Sequence, residues 1–305
     1  MKKVFLFPGQ GSQYLGMCKD IFEFYSLAKE KFTIAENILE FDIAEIMFNG
    51  PSDTLKQTQY TQPSIFLHSI IVSEILEING LLPCAVAGHS LGEFSALVSA
   101  KVLTFEEALK IIKVRANEMA KANNSNSGSM AAILGANPEQ LEEICDQKGI
   151  VLPANLNAPG QVVISGEFNA VRDAIATAKK IGVRKALPLK VSGAFHSPLM
   201  APARVPLLEV LNSVNFNNAK IPVYQNYNAK PSTEGTKIKS NILKQLESPV
   251  RWSEIIDNIN QNGFDSFLEI GPGKILHGLN KRILNDFSSS YIGTKDNIEE
   301  LLCTI

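Results

Sequence analysis

The 305-residue chain predicts an α/β fold with a parallel sheet, on the strength of three short apolar runs and the turns that end them. Val4-Phe5-Leu6-Phe7, Ala85-Val86-Ala87 and Phe267-Leu268-Glu269-Ile270 are almost wholly apolar, as strands covered on both faces are. Each stops at a glycine-bearing turn: Pro8-Gly9-Gln10-Gly11, Gly88-His89-Ser90-Leu91-Gly92 and Gly271-Pro272-Gly273 respectively. A helical pattern over 93–100 follows the second turn, and another follows the third. Strand, turn and helix in repetition is the pattern of parallel strands joined by crossovers.

The stretch from about 129 to 191 breaks that rhythm. It reads as strand 130–134, helix 138–147, strand 150–155, strand 161–165, helix 168–181 and strand 184–190. The order βαββαβ is the split arrangement of a ferredoxin-like unit. Asn123-Asn124-Ser125-Asn126-Ser127-Gly128, polar and rich in turn formers, reads as the linker into it. The expected division is a body of residues 1–127 and 193–305 with an inserted subdomain of residues 128–192. Two such units agree with a soft prior of ~150 residues per domain.

Composition narrows the function classes. The chain is 45% hydrophobic and 20% charged, which is ordinary for a globular protein. A formal net charge of -2 gives no electrostatic case for nucleic acid, which calls for a basic face. Cys18, Cys84, Cys145 and Cys303 lie far apart, with no CxxC pair and no histidine at metal-ligand spacing. They read as reduced thiols, and no metal is expected. Only four apolar residues separate Lys3 from Pro8, short of the about 7–15 that a signal peptide needs. The most apolar later stretch, 65–82, carries His68, Glu74 and Glu77, so it is expected as a core helix and not a membrane span. The expectation is a cytoplasmic protein without membrane contact, and nothing in the sequence demands more than a monomer.

Chemistry enters at Gly88-His89-Ser90-Leu91-Gly92, a G-x-S-x-G with a strand before it and a helix after it. That is the setting of a nucleophile elbow, where flanking side chains would clash and the helix N-terminus offers N–H groups to an oxyanion. The competing reading is a structural serine in a tight turn. A serine nucleophile needs a base, and the chain has only His68, His89, His196 and His277. His89 adjoins Ser90 and points away by side-chain alternation, while His68 and His277 fall in helical patterns. His196 lies in an irregular loop just after a strand, which favours it as base over a merely capped loop histidine. No acidic residue is poised to orient it, so a carbonyl or amide is the expected partner.

Thr104-Phe105-Glu106-Glu107 is a capping box that starts a helix running to about Lys121. Arg115 falls in its apolar stripe with Ala108, Ile111, Ile112 and Met119. A buried guanidinium must find an anion. Two partners stay open here: an internal Asp or Glu, or a substrate carboxylate gripped by the guanidinium fork. Gly9-Gln10-Gly11-Ser12-Gln13 lacks the spacing of either phosphate-binding glycine loop. It reads as a loop that presents a backbone N–H to the active site.

Seven motifs, in order along nearly the whole chain, carry a family resemblance. They are Phe7-Pro8-Gly9-Gln10-Gly11-Ser12-Gln13, Gly88-His89-Ser90-Leu91-Gly92-Glu93, Val114-Arg115, Asn157-Ala158-Pro159-Gly160-Gln161-Val162-Val163, Gly193-Ala194-Phe195-His196-Ser197-Pro198, Gln245-Leu246-Glu247-Ser248-Pro249-Val250 and Glu269-Ile270-Gly271-Pro272-Gly273. On these the chain resembles the malonyl-CoA:acyl-carrier-protein transacylases, the family that includes acyltransferase domains of fatty acid and polyketide synthases. The resemblance implies an α/β-hydrolase-like body with a ferredoxin-like subdomain. It implies Ser90 as the acylated nucleophile, His196 as its base, and backbone N–H groups of Gln10 and Leu91 as the oxyanion hole. Arg115 would bind the free carboxylate of malonate, and Gln245 would orient His196. Ala194-Phe195-His196 and the leucine after the serine accompany malonyl selection in the family, and no catalytic position departs from its pattern. The implied partners are malonyl-CoA, whose coenzyme A thioester is a substrate, and acyl carrier protein; no cofactor is implied. Three other readings remain: an acyltransferase or acyl hydrolase of a polyketide pathway, a plain serine esterase, and a non-enzymatic α/β binding module.

Overall fold

The three apolar runs become three adjacent strands in the middle of one sheet. The structure, a computed structural model, describes residues 2–125, 128–189 and 193–304. Its six-stranded sheet is built from β1 (Lys3–Phe7), β2 (Ala85–Gly88), β7 (Val223–Tyr224), β8 (Pro231–Ser232), β9 (Ser266–Ile270) and β10 (Ser288–Ile292), in the order β10-β9-β1-β2-β7-β8. Every pairing is parallel except β7 with β8. Side chains alternate across it, so Phe5, Phe7, Val86, Leu268 and Ile270 enter one core. Val4, Leu6, Ala85, Ala87 and Phe267 enter another on the opposite face. Helices cover both faces, which is why the strands read as continuous apolar runs rather than alternating ones. On the first face lie the Thr58–Ile78, Gly92–Ser99 and Phe105–Ser125 helices; on the second, Trp252–Gln261 and Ile275–Ile283.

Strands β3 (Gly128–Leu134), β4 (Val151–Ala158), β5 (Gln161–Glu167) and β6 (Lys185–Pro188) form a second, antiparallel sheet in the order β4-β5-β3-β6. Ala131, Ile133 and Ile164 on one face pack under the Pro138–Cys145 and Phe168–Lys180 helices. Met130 and Val163 on the other face turn toward the body. A bridge between Asn155 and Val250 ties β4 to the chain that precedes the Trp252–Gln261 helix. The protein is thus mixed α/β, with one largely parallel and one antiparallel sheet.

Several boundaries differ from expectation. The helix begun by the Thr104–Glu107 capping box runs to Ser125 and takes in half of the expected linker. Nothing in Asn123-Asn124-Ser125 forbids helix, and the first glycine arrives only at Gly128. Asn126 and Ser127 lie outside the described residues. The 65–82 stretch is the Thr58–Ile78 helix, ended before Gly80 and buried on every side from Thr61 to Ser73, with Pro63 near its start. Strand 184–190 is shorter, Lys185–Pro188, and Lys190 lies outside the described residues. Strand 150–155 is longer because β4 continues alongside β5 to Ala158. Among the described residues no helix is long and apolar enough to cross a membrane.

Candidate active site

At the carboxyl end of β2 the chain makes a sharp turn. Ser90 takes φ 52, in the left-handed region, between Gly88 and the helix that starts at Gly92. A Cβ on Gly88 would fall on the main chain of Gly92, and one on Gly92 would fall on the carbonyl of Phe7. Only glycine lets the turn close that tightly on itself and on β1. The Asn226 side chain clasps the turn from below. Its Oδ1 accepts from Ser90 N at 2.7 Å, and its Nδ2 donates to Gly88 O at 2.6 Å.

Ser90 Oγ lies 2.8 Å from His196 Nε2. Residue 196 also has a positive φ, 58, in a loop braced by Ser197, whose Oγ donates to Ala194 O at 2.6 Å. His196 Nδ1 donates to the main-chain carbonyl of Gln245 at 2.9 Å. That bond places the proton on Nδ1 and leaves Nε2 free to accept from the serine. Burial, with the Arg115 charge beside it, pulls the imidazole pKa down to about 3, so the ring is neutral and able to act as a base. Gln245 therefore touches His196 through its backbone, while its side chain works elsewhere. The other histidines have other partners: His89 Nε2 meets Asn157 Oδ1 at 2.8 Å, His68 meets Gly293 O, and His277 meets Ser289 Oγ.

Arg115 is only 2% exposed. Its Nη1 donates to Gln62 Oε1 at 2.7 Å, and its Nη2 to Gln245 Oε1 at 3.1 Å and Ser90 Oγ at 3.2 Å. The guanidinium also sits 5.6 Å from the centre of the Phe94 ring. Each of these hydrogen bonds ends on a neutral oxygen. Burial lowers the guanidinium pKa to about 10, opposed by the charge of Glu93, so it stays a cation at neutral pH.

Glu93 is 0% exposed beneath the elbow. Its carboxylate accepts from Gln225 Nε2 at 3.1 Å, Asn226 N at 3.1 Å and Gln245 Nε2 at 2.8 Å. Burial pushes its pKa up to about 7 in spite of those donors and the Arg115 charge.

Ser90, His196, Arg115, Gln10 and Leu91 line one cavity of about 180 Å³, and Gln245 stands behind them. The structure thus gathers five of the six expected site residues at one cavity and puts the sixth in contact with three of them. Apolar side chains from the second sheet and its neighbours, among them Met130, Val163 and Phe195, form the facing wall. Such an arrangement suits a serine acting on a small acyl group that carries an anionic end. Sequence reasoning missed Gln62, Asn226 and Glu93. For Glu93 a signal existed: it heads the largely apolar run Phe94-Ser95-Ala96-Leu97-Val98, and a carboxylate buried with that run needs partners. Gln62 and Asn226 carry no local signal. Among the described residues no cluster of three His, Cys, Asp or Glu side chains could hold a metal ion.

A family model described as acyl transferase domain matches residues 4–297. The chain is 41% identical over 308 residues to the malonyl CoA-acyl carrier protein transacylase of Bacillus subtilis, covering 100% of this chain and 97% of that one. Its identity to the protein of the same name from Staphylococcus aureus is also 41%, over 303 residues, covering 98% and 97%. Among solved structures, an acyl carrier protein S-malonyltransferase from Vibrio cholerae matches with a TM-score of 0.94 at 38% identity, covering 99% of this chain and 100% of that one. A malonyl-transacylase in complex with its type II PKS acyl-carrier protein matches with a TM-score of 0.96 at 36% identity, covering 100% of both chains.

Proposed function

The chain belongs to the acyl transferase family, and we propose that it transfers a malonyl group from malonyl-CoA to the phosphopantetheine thiol of acyl carrier protein, feeding fatty acid synthesis. One observation carries the reading beyond acyl transfer in general. A buried guanidinium, hydrogen-bonded among the described residues only to neutral oxygens, stands 3.2 Å from the nucleophile's oxygen. A malonyl group on Ser90 would present its free carboxylate to that cation, and an acetyl group has nothing to offer it. The names of the relatives agree with this reading.

The geometry supports the following steps. His196 Nε2 takes the proton of Ser90 Oγ as the oxygen attacks the thioester carbonyl. The oxyanion develops beside Gln10 and Leu91, whose backbone N–H groups we assign as its donors, with the N-terminus of the Gly92–Ser99 helix behind them. Collapse of the intermediate breaks the C–S bond, and the proton held by His196 goes to the departing coenzyme A sulfur. The carrier-protein thiol then repeats the sequence in reverse and regenerates Ser90. His196 alternates between base and acid while its Nδ1–H stays on the Gln245 carbonyl. No metal or prosthetic group takes part in this scheme. We read the body as α/β-hydrolase-like and the second sheet as a ferredoxin-like subdomain, in a cytoplasmic enzyme that works as a monomer.

Intact-mass spectrometry tests the proposal. Incubation with malonyl-CoA should add about 86 Da, a malonyl ester on serine. Added holo acyl carrier protein should remove that mass and gain it. An adduct that decays equally fast without carrier protein would make the enzyme a hydrolase, and no adduct at all would remove the serine mechanism.

A further inference from the structure

Arg115 and Glu93 are both buried and of opposite charge, and each touches Ser90. Arg115 does so through Nη2 to Oγ at 3.2 Å and Glu93 through its main-chain N to Ser90 O at 3.1 Å, yet among the described residues no hydrogen bond joins their side chains. The Gln245 side chain stands between them. Its Oε1 accepts from Arg115 Nη2 at 3.1 Å, and its Nε2 donates to Glu93 Oε2 at 2.8 Å. A direct ion pair would neutralise the guanidinium and leave little attraction for a substrate carboxylate. Relay through an amide stabilises the cation and leaves its charge uncancelled.

The relay works only one way round. Around Gln245 Nε2 gather three acceptors: Glu93 Oε2, Ser90 O at 3.0 Å and Asn226 Oδ1 at 3.4 Å. Glu93 is the nearest of them and the only anion. With the amide turned over, its oxygen would face these three and its NH2 would face Arg115, donor against donor. The carboxylate therefore decides which end of Gln245 meets the guanidinium. Its remaining donors, Asn226 N and Gln225 Nε2, hold it in place from the strand side.

We propose that Glu93 is the positioning residue for acyl-group selection: it holds the Gln245 amide with its oxygen toward Arg115, and so seats the guanidinium beside Ser90 with its charge free for a substrate carboxylate. The inference rests on the reading of Arg115 as the malonyl grip and says what makes that grip possible.

The experiment is a double-mutant cycle on Ser90 acylation, with malonyl-CoA and acetyl-CoA as the two donors. Glu93→Gln keeps size and removes the charge; Gln245→Met removes both ends of the amide and keeps the main-chain carbonyl that holds His196. Losing a charge-assisted hydrogen bond corresponds to about 10- to 100-fold. The malonyl:acetyl ratio of acylation rates should fall by roughly that factor in each single variant. It should fall no further in the double variant, because both act through one relay. Malonyl and acetyl rates that decline together, with the ratio unchanged, would make Glu93 a scaffold residue only and overturn the proposal. So would losses that multiply in the double variant. Should Glu93→Gln fail to fold by circular dichroism, Gln245→Met decides alone: a lowered ratio supports the relay, and an unchanged one removes it. Wild-type protein with no preference for malonyl would overturn the functional reading as well, whereas a wild-type preference left intact by both variants sinks only the role of Glu93.

Discussion

The two sides of the cavity are built from opposite materials. Below Ser90, Glu93, Arg115, Gln225, Asn226, Asn241 and Gln245 are all buried and joined by hydrogen bonds into one network. Above it, Met130, Val163, Leu189 and Phe195 from the second sheet and its exit, with Leu276 and Leu279 from the Ile275–Ile283 helix, offer apolar surface. The difference separates two tasks. Fixed dipoles need no reorganisation when charge develops in the transition state, so the lower side suits the chemistry. Apolar walls discriminate by shape and weakly, so the upper side suits sorting of acyl groups by size, while the Arg115 charge on the lower side reads the carboxylate. Substitutions below should therefore have steep, specific effects, and those above shallow ones.

The steepest effect is expected at Ser90 itself. Ser90→Ala removes one oxygen from the elbow and should eliminate the malonyl adduct in intact-mass spectra with the fold unchanged. An adduct that persists on this variant would move the nucleophile elsewhere. His196→Ala should slow transfer by roughly 10²- to 10⁴-fold, the usual contribution of a positioned base. Coenzyme A binding should change little. Equal damage from His68→Ala or His277→Ala at unchanged stability would break the distinction between the network and its surroundings.

Arg115 comes next, and it separates carboxylate selection from acyl transfer. Truncating one partner of a buried charge pair costs about 2–5 kcal/mol, or roughly 30- to 4,000-fold in kcat/KM. Arg115→Ala should lose malonyl transfer by about that factor while acetyl transfer holds or improves. Arg115→Lys should recover only part, since an ammonium cannot reproduce the fork. Parallel losses for both thioesters would give Arg115 a purely structural role.

How far sequence reasoning reached follows the same division. Ser90, His196 and Arg115 were legible because each violates its surroundings: a serine between glycines at a strand end, a histidine in an irregular loop, and a cation in an apolar stripe. The central strands were legible because burial on both faces leaves an unbroken apolar run ended by glycine. Gln62 and Asn226 were not, because their partners lie 53 and 136 residues away and no local pattern marks them. That a carbonyl or amide holds His196 was legible from the lack of a poised acid, but that Gln245 does so through its main chain was not, since any residue has a carbonyl. The linker boundary failed on propensity, as Asn and Ser are poor helix formers but do not stop a helix already begun.

pH sharpens the comparison without any substitution. His196 is held neutral down to about 3, whereas the Glu93 carboxyl titrates at about 7. Arg115 is the charged group facing Glu93, and Gln225, Asn226 and Gln245 surround it as neutral donors. A carboxyl raised to about 7 is ionised above that pH and protonated below it, so the relay to Arg115 weakens as pH falls. From pH 8 to 6 the ionised fraction drops about tenfold. Malonyl kcat/KM of the wild type should fall by up to that factor, toward the value of Glu93→Gln, whose own profile should stay flat. Profiles that run parallel in the two proteins would assign the limb to another group.

The upper side should answer most gently, and Phe195 is the place to ask. Its ring is nearly buried against the cavity and adjoins His196 without joining the polar network. Phe195→Ala removes the ring and enlarges the apolar wall of the cavity, which should ease entry of a branched acyl group. A buried methylene is worth about 0.8 kcal/mol, or roughly fourfold. The methylmalonyl:malonyl ratio of kcat/KM should rise by about that much, with the malonyl:acetyl ratio unchanged because Arg115 and Gln245 are untouched. The two ratios together make the measurement diagnostic. A shift in malonyl over acetyl would mean that Phe195 helps to seat the guanidinium. The polar and apolar sides would then be one mechanism rather than two.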